Sequence, residues 1–223
     1  MHEAMDSQRP SSARRISGHR AGLCGVNDGA GPWAELRRAA HLLVLSAVCL
    51  IAVAAMMDLA AGRNVLAIDV TIGRWLQHEP IPFGSTIAAF GNAAGSTAVG
   101  LSVSLVAAAL LAVARRWTDV VFLLGLLLAR GLNAPLKELA SSPRPSGSLL
   151  HVSEFARGLG FPSGHAMGAV LLAGGLAYVA WAALPGRRIR VIPCVIAVVV
   201  VLATGYGRVD TGAHWPTDVL GGF

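Results

Sequence analysis

Three short clusters of cationic, hydroxyl and imidazole side chains interrupt the apolar second half of this sequence. In chain order they are Lys137-x6-Arg144-Pro145, Ser163-Gly164-His165 and Arg208-x5-His214-x3-Asp218. Two arginines and a lysine in one place would neutralise a multiply charged anion, and guanidinium groups bind phosphate oxygens in a bidentate geometry. A histidine can give or take a proton near neutral pH. If the clusters converge, they could bind a phosphate group and move protons at it.

The second cluster lies at a predicted helix N-terminus. Pro162 and Gly164 are typical of a loop, Ser163 is a natural N-cap, and the apolar run Ala166–Leu184 follows them. The free backbone N–H groups and the positive end of the helix dipole at such a terminus attract anions such as phosphate. His165 could alternatively be an ordinary residue that follows the cap.

Each of the other clusters also has an ordinary structural interpretation. Lys137 could place its ammonium group at a helix end, and Asp218 lies in the first turn of a helix, where acids are favoured by the dipole. His214 could be an interfacial residue beside Trp215. Because every cluster lies where a predicted span meets a loop, all three can lie at one end of a bundle. This common position favours one shared site over several separate structural roles.

Membrane spans are the elements that must position these clusters. The chain has 223 residues, of which 54% are hydrophobic and 13% are charged, and this charged fraction is about half that of a soluble domain. Long apolar runs with so few charges are typical of a polytopic membrane protein. Five spans are predicted, at His41–Leu59, Ala93–Ala114, Asp119–Leu136, Ala166–Leu184 and Val191–Tyr206. Residues 60–92 are predicted to contain a short amphipathic interfacial helix.

The two ends of the sequence differ from this apolar region. Residues 1–38 are polar, small and basic, so we expect a disordered cytoplasmic tail there and a membrane-embedded domain at residues 39–223. The last segment, Pro216–Phe223, begins like a helix with proline at its first position. It would reach only ~12 Å across a hydrocarbon core of roughly 30 Å. We therefore expect an all-α, multi-pass transmembrane helical bundle of about six spans, the last of them truncated.

The placement of arginines predicts the orientation of the bundle. If the spans alternate in direction, the arginines of residues 1–38, the pair at 115–116 and the group at 187–190 lie on one side. The positive-inside rule makes that side cytoplasmic, so the loops 60–92, 137–165 and 207–215 share the outer face. The net charge of +6 thus comes from arginines between spans and argues against nucleic-acid binding. We expect a protein of the plasma (inner) membrane, with its polar clusters at the extracytoplasmic face.

Together the three clusters resemble the three-part signature of the type 2 phosphatidic acid phosphatase superfamily. The motifs occur in the expected order, and the resemblance covers the chain from about residue 41 to its end. This superfamily includes bacterial lipid phosphatases, polyprenyl diphosphate phosphatases and, with shared motifs, the vanadium haloperoxidases. Members commonly have Ser before the arginine of the third motif, whereas this chain has Gly207. That departure removes one possible hydroxyl contact to phosphate. Members also complete a sixth span.

The resemblance implies a role for each residue of the clusters. His214 would be the nucleophile that forms a phosphohistidine, and Asp218 would accept the proton of its other ring nitrogen and hold the tautomer. His165 would be the general acid that protonates the departing oxygen. The residues that hold the phosphoryl oxygens would be Lys137, Arg144, Ser163, Gly164 and Arg208. No metal or other cofactor is expected, because the cations and the helix dipole supply positive charge and the clusters lack the oxygen ligands of a Mg²⁺ site.

The resulting expectation is a metal-independent hydrolase of phosphoric esters or diphosphates in the membrane. Its substrate would be a lipid phosphate or diphosphate, and analogy with bacterial relatives favours a polyprenyl diphosphate. Phosphatidic acid or phosphatidylglycerophosphate is the alternative substrate. An alternative of another class is a protein that binds or transports an anionic lipid without turnover. Binding needs only the cations, whereas turnover also needs the two histidines, His165 and His214.

One more cation lies inside the third predicted span. Arg130 precedes Lys137 by seven residues, which places both on the same helical face with Arg130 about 10 Å deeper. Charged residues within membrane spans are costly and face the interior of the bundle. We expect Arg130 to have a structural role or to support the site, and we expect Pro135 to bend the span just before Lys137.

Overall fold

The computed structural model describes residues 32–61, 65–79 and 81–223, and every regular element within these ranges is a helix. The helices are α1 (Pro32–Ala61), α2 (Ala67–His78), α3 (Gly84–Gly95), α4 (Thr97–Val113), α5 (Trp117–Gly131), α6 (Asn133–Ala140), α7 (Gly164–Ala169), α8 (Gly175–Ala183), α9 (Arg187–Asp210) and α10 (Pro216–Gly222). A π-helical turn, Val170–Gly174, joins α7 to α8. The chain forms two units, Met1–Ser46 and Ala47–Phe223, and the helix packing and the site described below belong to the second unit.

Within the described residues, four helical stretches are long and apolar enough to cross a membrane. They are Ala39–Ala61, Trp117–Ala140, Gly164–Ala183 and Arg187–Asp210. The pair α3 and α4 would make a fifth crossing if it is taken as one span, and its two helices are bent by 59° relative to each other. The predicted all-α, multi-pass membrane bundle is confirmed. Of the tail predicted at residues 1–38, residues 1–31 lie outside the described residues and residues 32–38 are helical.

The single span predicted at Ala93–Ala114 is instead parts of two helices. The first, α3, ends at Gly95, and the second, α4, begins at Thr97 after an extended Ser96. The Ser96 hydroxyl oxygen accepts a hydrogen bond from the backbone N–H of Val99 at 3.3 Å, as an N-cap does. The prediction missed this break, and it also missed helix α3, because small residues on both sides of Ser96 keep the local hydropathy high.

The helix is interrupted just before Lys137, where the sequence predicts a bend. Helix α5 ends at Gly131 and α6 begins at Asn133. Pro135 lies in the first turn of α6, where a missing N–H costs little, whereas continuing α5 would press its ring against the carbonyl group of Gly131. The interruption shortens α6 to eight residues and places Lys137 in that short helix.

Helices α3 and α9 pack backbone against backbone, because glycines line both sides of their contact. A Cβ atom at Gly207 would lie 2.7 Å from the carbonyl oxygen of Ala88 and 3.1 Å from its Cα. Gly91 lies against the backbone of Ala203, and its carbonyl oxygen accepts a hydrogen bond from Thr204 Oγ1 at 3.0 Å. The departure from Ser at residue 207 therefore has a structural reason, since any side chain there would push α3 away from α9.

This close approach predicts a stability difference between two glycine substitutions. Gly91→Ala should lower the free energy of unfolding by ~1–3 kcal/mol, because its Cβ would overlap the Ala203 carbonyl group. Gly125→Ala in α5 is the matched control, since a Cβ there meets no heavy atom within 4 Å, and it should be neutral or slightly stabilising. Thermal unfolding of both variants in detergent checks this. Equal melting temperatures of the two variants would contradict the close packing of Gly91 against Ala203.

Helix α2 lies where the short amphipathic helix is predicted and ties distant segments together. The side-chain amide of Gln77 donates to the carbonyl oxygens of His151 and Asp210, each at 2.9 Å, and its Oε1 accepts from the N–H of His151. The buried carboxylate of Asp69 accepts from the backbone N–H and the hydroxyl of Thr217, at 2.9 and 2.7 Å. These contacts hold the 141–163 loop and the start of α10 beside the end of α9.

Candidate active site

The three polar clusters come together where α6, α7, α9 and α10 meet the 141–163 loop. Direct contacts join the third cluster to the other two. Nη1 of Arg144 lies 3.1 Å from Nε2 of His214, and the backbone N–H of Ser163 donates to the carbonyl oxygen of Asp218 at 2.8 Å. The convergence that the sequence predicts is therefore present in the structure.

His214 is held between an acid and a guanidinium group. It is 2% exposed and Asp218 is 1% exposed. Nδ1 of His214 lies 3.3 Å from Oδ2 of Asp218, and the same oxygen accepts from the backbone N–H of Trp215 at 3.0 Å. With a proton on Nδ1, the imidazole keeps its lone pair on Nε2, where Arg144 donates to it.

The surroundings of His214 keep its ring neutral. Burial lowers its pKa well below the ordinary value, and the positive charges of Arg144, Arg208 and Lys137 lower the pKa further. When it is protonated, His165 lowers the pKa of His214 in the same direction. At neutral pH the ring is therefore an available nucleophile or base rather than an imidazolium ion.

Arg144 is fixed by backbone carbonyl oxygens rather than by acids. Nη1 donates to the carbonyl oxygen of Ala213 at 2.6 Å, and Nε donates to that of Gly158 at 3.0 Å. Nη2 donates to the carbonyl oxygen of Arg157 at 3.3 Å. Because these acceptors are neutral, the positive charge of the guanidinium group stays available to an anion beside His214.

Lys137 binds the loop that precedes the second cluster. Its ammonium group donates to the carbonyl oxygens of Leu159 and Gly160, each at 2.8 Å. Gly160 in turn approaches the third cluster closely, since a Cβ there would lie 2.8 Å from Oδ2 of Asp218. Lys137 thus adds positive charge and also orders the chain segment that lies over the His214–Asp218 pair.

Arg208 is the most deeply buried cation of the site, with 1% of its surface exposed. Its Nη1 donates to both carboxylate oxygens of Glu154, at 3.0 and 2.9 Å, and to Oδ1 of Asn92 at 3.2 Å. Its Nε is buried and, within the described residues, has no hydrogen-bond partner. A buried donor without an acceptor is costly, so this N–H is a candidate contact for a ligand oxygen.

Glu154 and Asn92 are site residues that the sequence analysis missed. Glu154 lies in the 141–163 loop and Asn92 lies in α3, which is far from the motifs in the chain. An acid between the first two motifs, and an amide in an otherwise apolar stretch, are the signals that could have indicated them. The Glu154 carboxylate binds Arg208 as the oxygens of an anionic ligand would.

Residues of the second cluster occupy the N-terminus of α7, as the sequence predicts. Oγ of the fully buried Ser163 accepts from the backbone N–H of Ala166 at 3.4 Å, so Ser163 is the N-cap. Gly164 lies against Asn133, where a Cβ would be 2.9 Å from Oδ1. His165 and Gly164 line a cavity of about 380 Å³ that also reaches Asn133 and residues of α4 and α5. A group leaving the phosphate beside His165 could be accommodated there.

A metal centre is not evident in the part of the chain that the structure describes. Residues 32–61, 65–79 and 81–223 contain no group of three or more His, Cys, Asp or Glu side chains that could hold a metal ion. The positive charge at the site comes from its arginines and its lysine.

The fold and the site define an all-helical membrane protein with a buried imidazole among cations. Residues 118–223 match the model of the PAP2 superfamily. This stretch contains all three motifs, so the resemblance based on them is confirmed.

Two relatives extend the comparison. Phosphatidylglycerophosphatase B of Bacillus subtilis (strain 168) is 37% identical over 111 residues, which are 49% of this chain and 53% of that protein. The match therefore spans about half the length of this curated relative. The crystal structure of a transmembrane PAP2 type phosphatidylglycerolphosphate phosphatase from Bacillus subtilis is similar with a TM-score of 0.65 and 26% identity. That likeness covers 78% of this chain and 88% of the other.

Proposed function

We propose that this protein is an integral membrane lipid phosphatase that removes the terminal phosphate of a lipid phosphate or diphosphate. The observation that carries the proposal is the neutral, buried His214, whose Nε2 faces Arg144 while its Nδ1 faces Asp218. A protein that only binds anionic lipids needs the cations but has no use for an oriented imidazole lone pair. The proposed catalytic domain covers residues 39–223.

The proposed mechanism has two steps and a phosphohistidine intermediate. Nε2 of His214 attacks phosphorus, the bond from phosphorus to the lipid oxygen breaks, and His165 donates a proton to that oxygen. Water then attacks the phosphohistidine, His165 takes up the proton of the water, and phosphate leaves as the P–N bond breaks. Asp218 keeps the reacting tautomer throughout.

The cations would bind the oxygens of phosphate that do not react. Arg144 donates to Nε2 of His214 in the present structure, so its Nη1 would transfer to a phosphoryl oxygen when substrate binds and release the lone pair. The free Nε of Arg208 and the ammonium group of Lys137 would bind other oxygens. The Ser163 hydroxyl and the Gly164 N–H would complete the proposed phosphate site.

The names of the two relatives bear on the choice of lipid. Both names denote a phosphatase that acts on phosphatidylglycerophosphate. They favour phosphatidylglycerophosphate as the substrate over the polyprenyl diphosphate that motif analogy suggests. Both lipids carry a terminal phosphate on a leaving group that contains a second phosphate. Phosphatidic acid has no second phosphate and is the natural comparison.

The test is phosphate release by the purified full-length protein from phosphatidylglycerophosphate, a polyprenyl diphosphate and phosphatidic acid. We expect hydrolysis to persist in excess chelator, to be inhibited by vanadate, and to label the protein with an acid-labile, alkali-stable phosphate. Binding of these lipids without phosphate release from any of them would identify a binding or transport protein instead. Loss of activity in chelator with recovery on Mg²⁺ addition would refute the metal-independent mechanism.

We also propose that the site faces away from the cytoplasm in the plasma (inner) membrane, with the N-terminus inside. The arginines at 115–116, before α5, and at 187–190, at the start of α9, support this orientation. Ser148 and Gly186 are both exposed and lie at opposite ends of α7–α8 in the chain. In a Cys-free background, Ser148→Cys should react with an impermeant thiol reagent in intact cells and Gly186→Cys should not. The reverse pattern would overturn the orientation.

A further inference from the structure

Among the described residues, the hydrogen-bond partners of the membrane-embedded Arg130 are all neutral. It lies in the span Trp117–Ala140, and its Nη2 donates to the carbonyl oxygen of Gly95 at 3.2 Å and to Oγ1 of Thr97 at 3.1 Å. No acid of the described ranges, residues 32–61, 65–79 and 81–223, lies within ion-pair distance of it. These contacts support the break between α3 and α4 but leave the positive charge uncompensated.

The side chain of Arg130 is positioned by close packing. A Cβ at Gly100 would lie 3.2 Å from its Nη1, and Gly168 also leaves room for the guanidinium group, which a side chain at that residue would displace. Small residues on two neighbouring helices, α4 and α7, therefore make space for this one cation. A charge within a span is costly, so an arginine that only filled space would be a poor choice for this position.

Arg130 shares a cavity with the proposed general acid. The cavity of about 380 Å³ is lined by both Arg130 and His165, and residues of α4, α5, α6 and α7 form its walls. If His165 protonates the departing oxygen, the group that carries this oxygen lies on the His165 side of the phosphate. The leaving group therefore extends into the cavity that Arg130 faces.

We propose that Arg130 binds a second phosphate, carried by the leaving group of the substrate. This inference rests on the proposed function. A guanidinium group is suited to a phosphate oxygen, and the absence of an acid beside Arg130 in the described residues leaves its charge for an anionic ligand. In phosphatidylglycerophosphate the second phosphate is the phosphodiester of phosphatidylglycerol, and in a polyprenyl diphosphate it is the phosphate that stays on the lipid. Phosphatidic acid releases a neutral diacylglycerol. Arg130 thus selects lipids with two phosphates over lipids with one.

The test compares substrates within each variant. Arg130→Gln should lower kcat/KM for phosphatidylglycerophosphate and polyprenyl diphosphate by ~10–100-fold, mainly through KM, the effect of losing one charge-assisted contact. Its kcat/KM for phosphatidic acid should change little. Arg130→Lys should retain part of the preference because it keeps the charge. Thr97→Val is the matched control, since it removes a structural partner of Arg130 but not the cation, and should leave the substrate preference unchanged.

Equal losses on all three substrates in Arg130→Gln would mean that Arg130 only supports the fold, and would overturn the inference. A loss confined to one of the two-phosphate lipids supports it and identifies which second phosphate reaches the guanidinium group. If Arg130→Gln does not fold, the other two variants decide. A preference reduced in Arg130→Lys but kept in Thr97→Val supports the inference, whereas a preference lost as much in Thr97→Val as in Arg130→Lys refutes it. Failure of the wild-type protein to hydrolyse any of the lipids is a different result, because it refutes the proposed function itself.

Discussion

His214→Ala should abolish phosphate release from every substrate, including one with an excellent leaving group. One nitrogen of its imidazole lies 3.1 Å from Nη1 of Arg144, and the other faces Asp218. Without it the proposed site keeps its cations but has no atom to attack phosphorus. Loss of a nucleophile typically costs ~10⁴–10⁶ in kcat. We expect a loss of this size in kcat/KM for both a lipid phosphate and nitrophenyl phosphate.

His165→Ala should behave differently on the same two substrates. The alkoxide that leaves from a lipid monoester is a poor leaving group, so the loss of its proton donor should cost ~10²–10⁴ in rate. Nitrophenolate leaves without a proton. His165→Ala should therefore keep most of its activity on the aryl phosphate while losing activity on the lipid. Measurement of kcat/KM for both variants on both substrates separates the two roles.

His151→Ala is the matched control for these variants. Its side chain is exposed in the same loop region, and its hydrogen bonds to Gln77 use backbone atoms, so its activity should match that of the wild type. If the better leaving group rescues His214→Ala rather than His165→Ala, the two histidines have the opposite roles. If neither substitution affects hydrolysis of either substrate, the phosphohistidine mechanism is wrong for this protein.

The sequence predicts the site better than it predicts the helices that support it. Residues of one motif lie close together in the chain, so their spacing indicates chemistry directly, and His214 and Asp218 indeed lie in contact. The partners of Arg208 lie 54 and 116 residues away in the chain. No local pattern encodes such contacts, because they depend on how α3 and the 141–163 loop pack against α9.

Hydropathy locates spans but not their ends. The apolar run Val191–Tyr206 marks only the middle of α9, which extends from Arg187 to Asp210. The polar residues of its last turn, Arg208 among them, contribute to the site, so the function of the helix lies in the part that hydropathy excludes. The break at Ser96 is missed for a related reason, since an N-cap acts through one hydrogen bond and leaves the average hydropathy of a window almost unchanged.

Asp218→Asn should lower kcat by ~10⁴ while preserving the fold, as loss of the orienting acid does in a serine protease triad. The asparagine can still accept from the backbone N–H of Trp215, as Oδ2 of Asp218 does at 3.0 Å. The same oxygen faces Nδ1 of His214 at 3.3 Å, so a neutral amide oxygen in its place holds the Nδ1 proton more weakly than the carboxylate does. If the amide instead turns its N–H₂ group toward Nδ1, it favours the tautomer with the proton on Nε2, which removes the lone pair from the attacking atom.

Asp69→Asn is the matched control, because Asp69 is also buried and also binds the start of α10. Its Oδ1 accepts a hydrogen bond from the backbone N–H of Thr217 at 2.9 Å. It does not contact His214 in the described structure, so Asp69→Asn should lower the melting temperature with a much smaller effect on kcat. Steady-state kinetics and thermal unfolding of the two variants give the comparison, and ¹⁵N chemical shifts of His214 report its tautomer. Retention of near wild-type kcat in Asp218→Asn, or a loss in Asp69→Asn as large as in Asp218→Asn, would show that Asp218 supports α10 rather than the tautomer of His214.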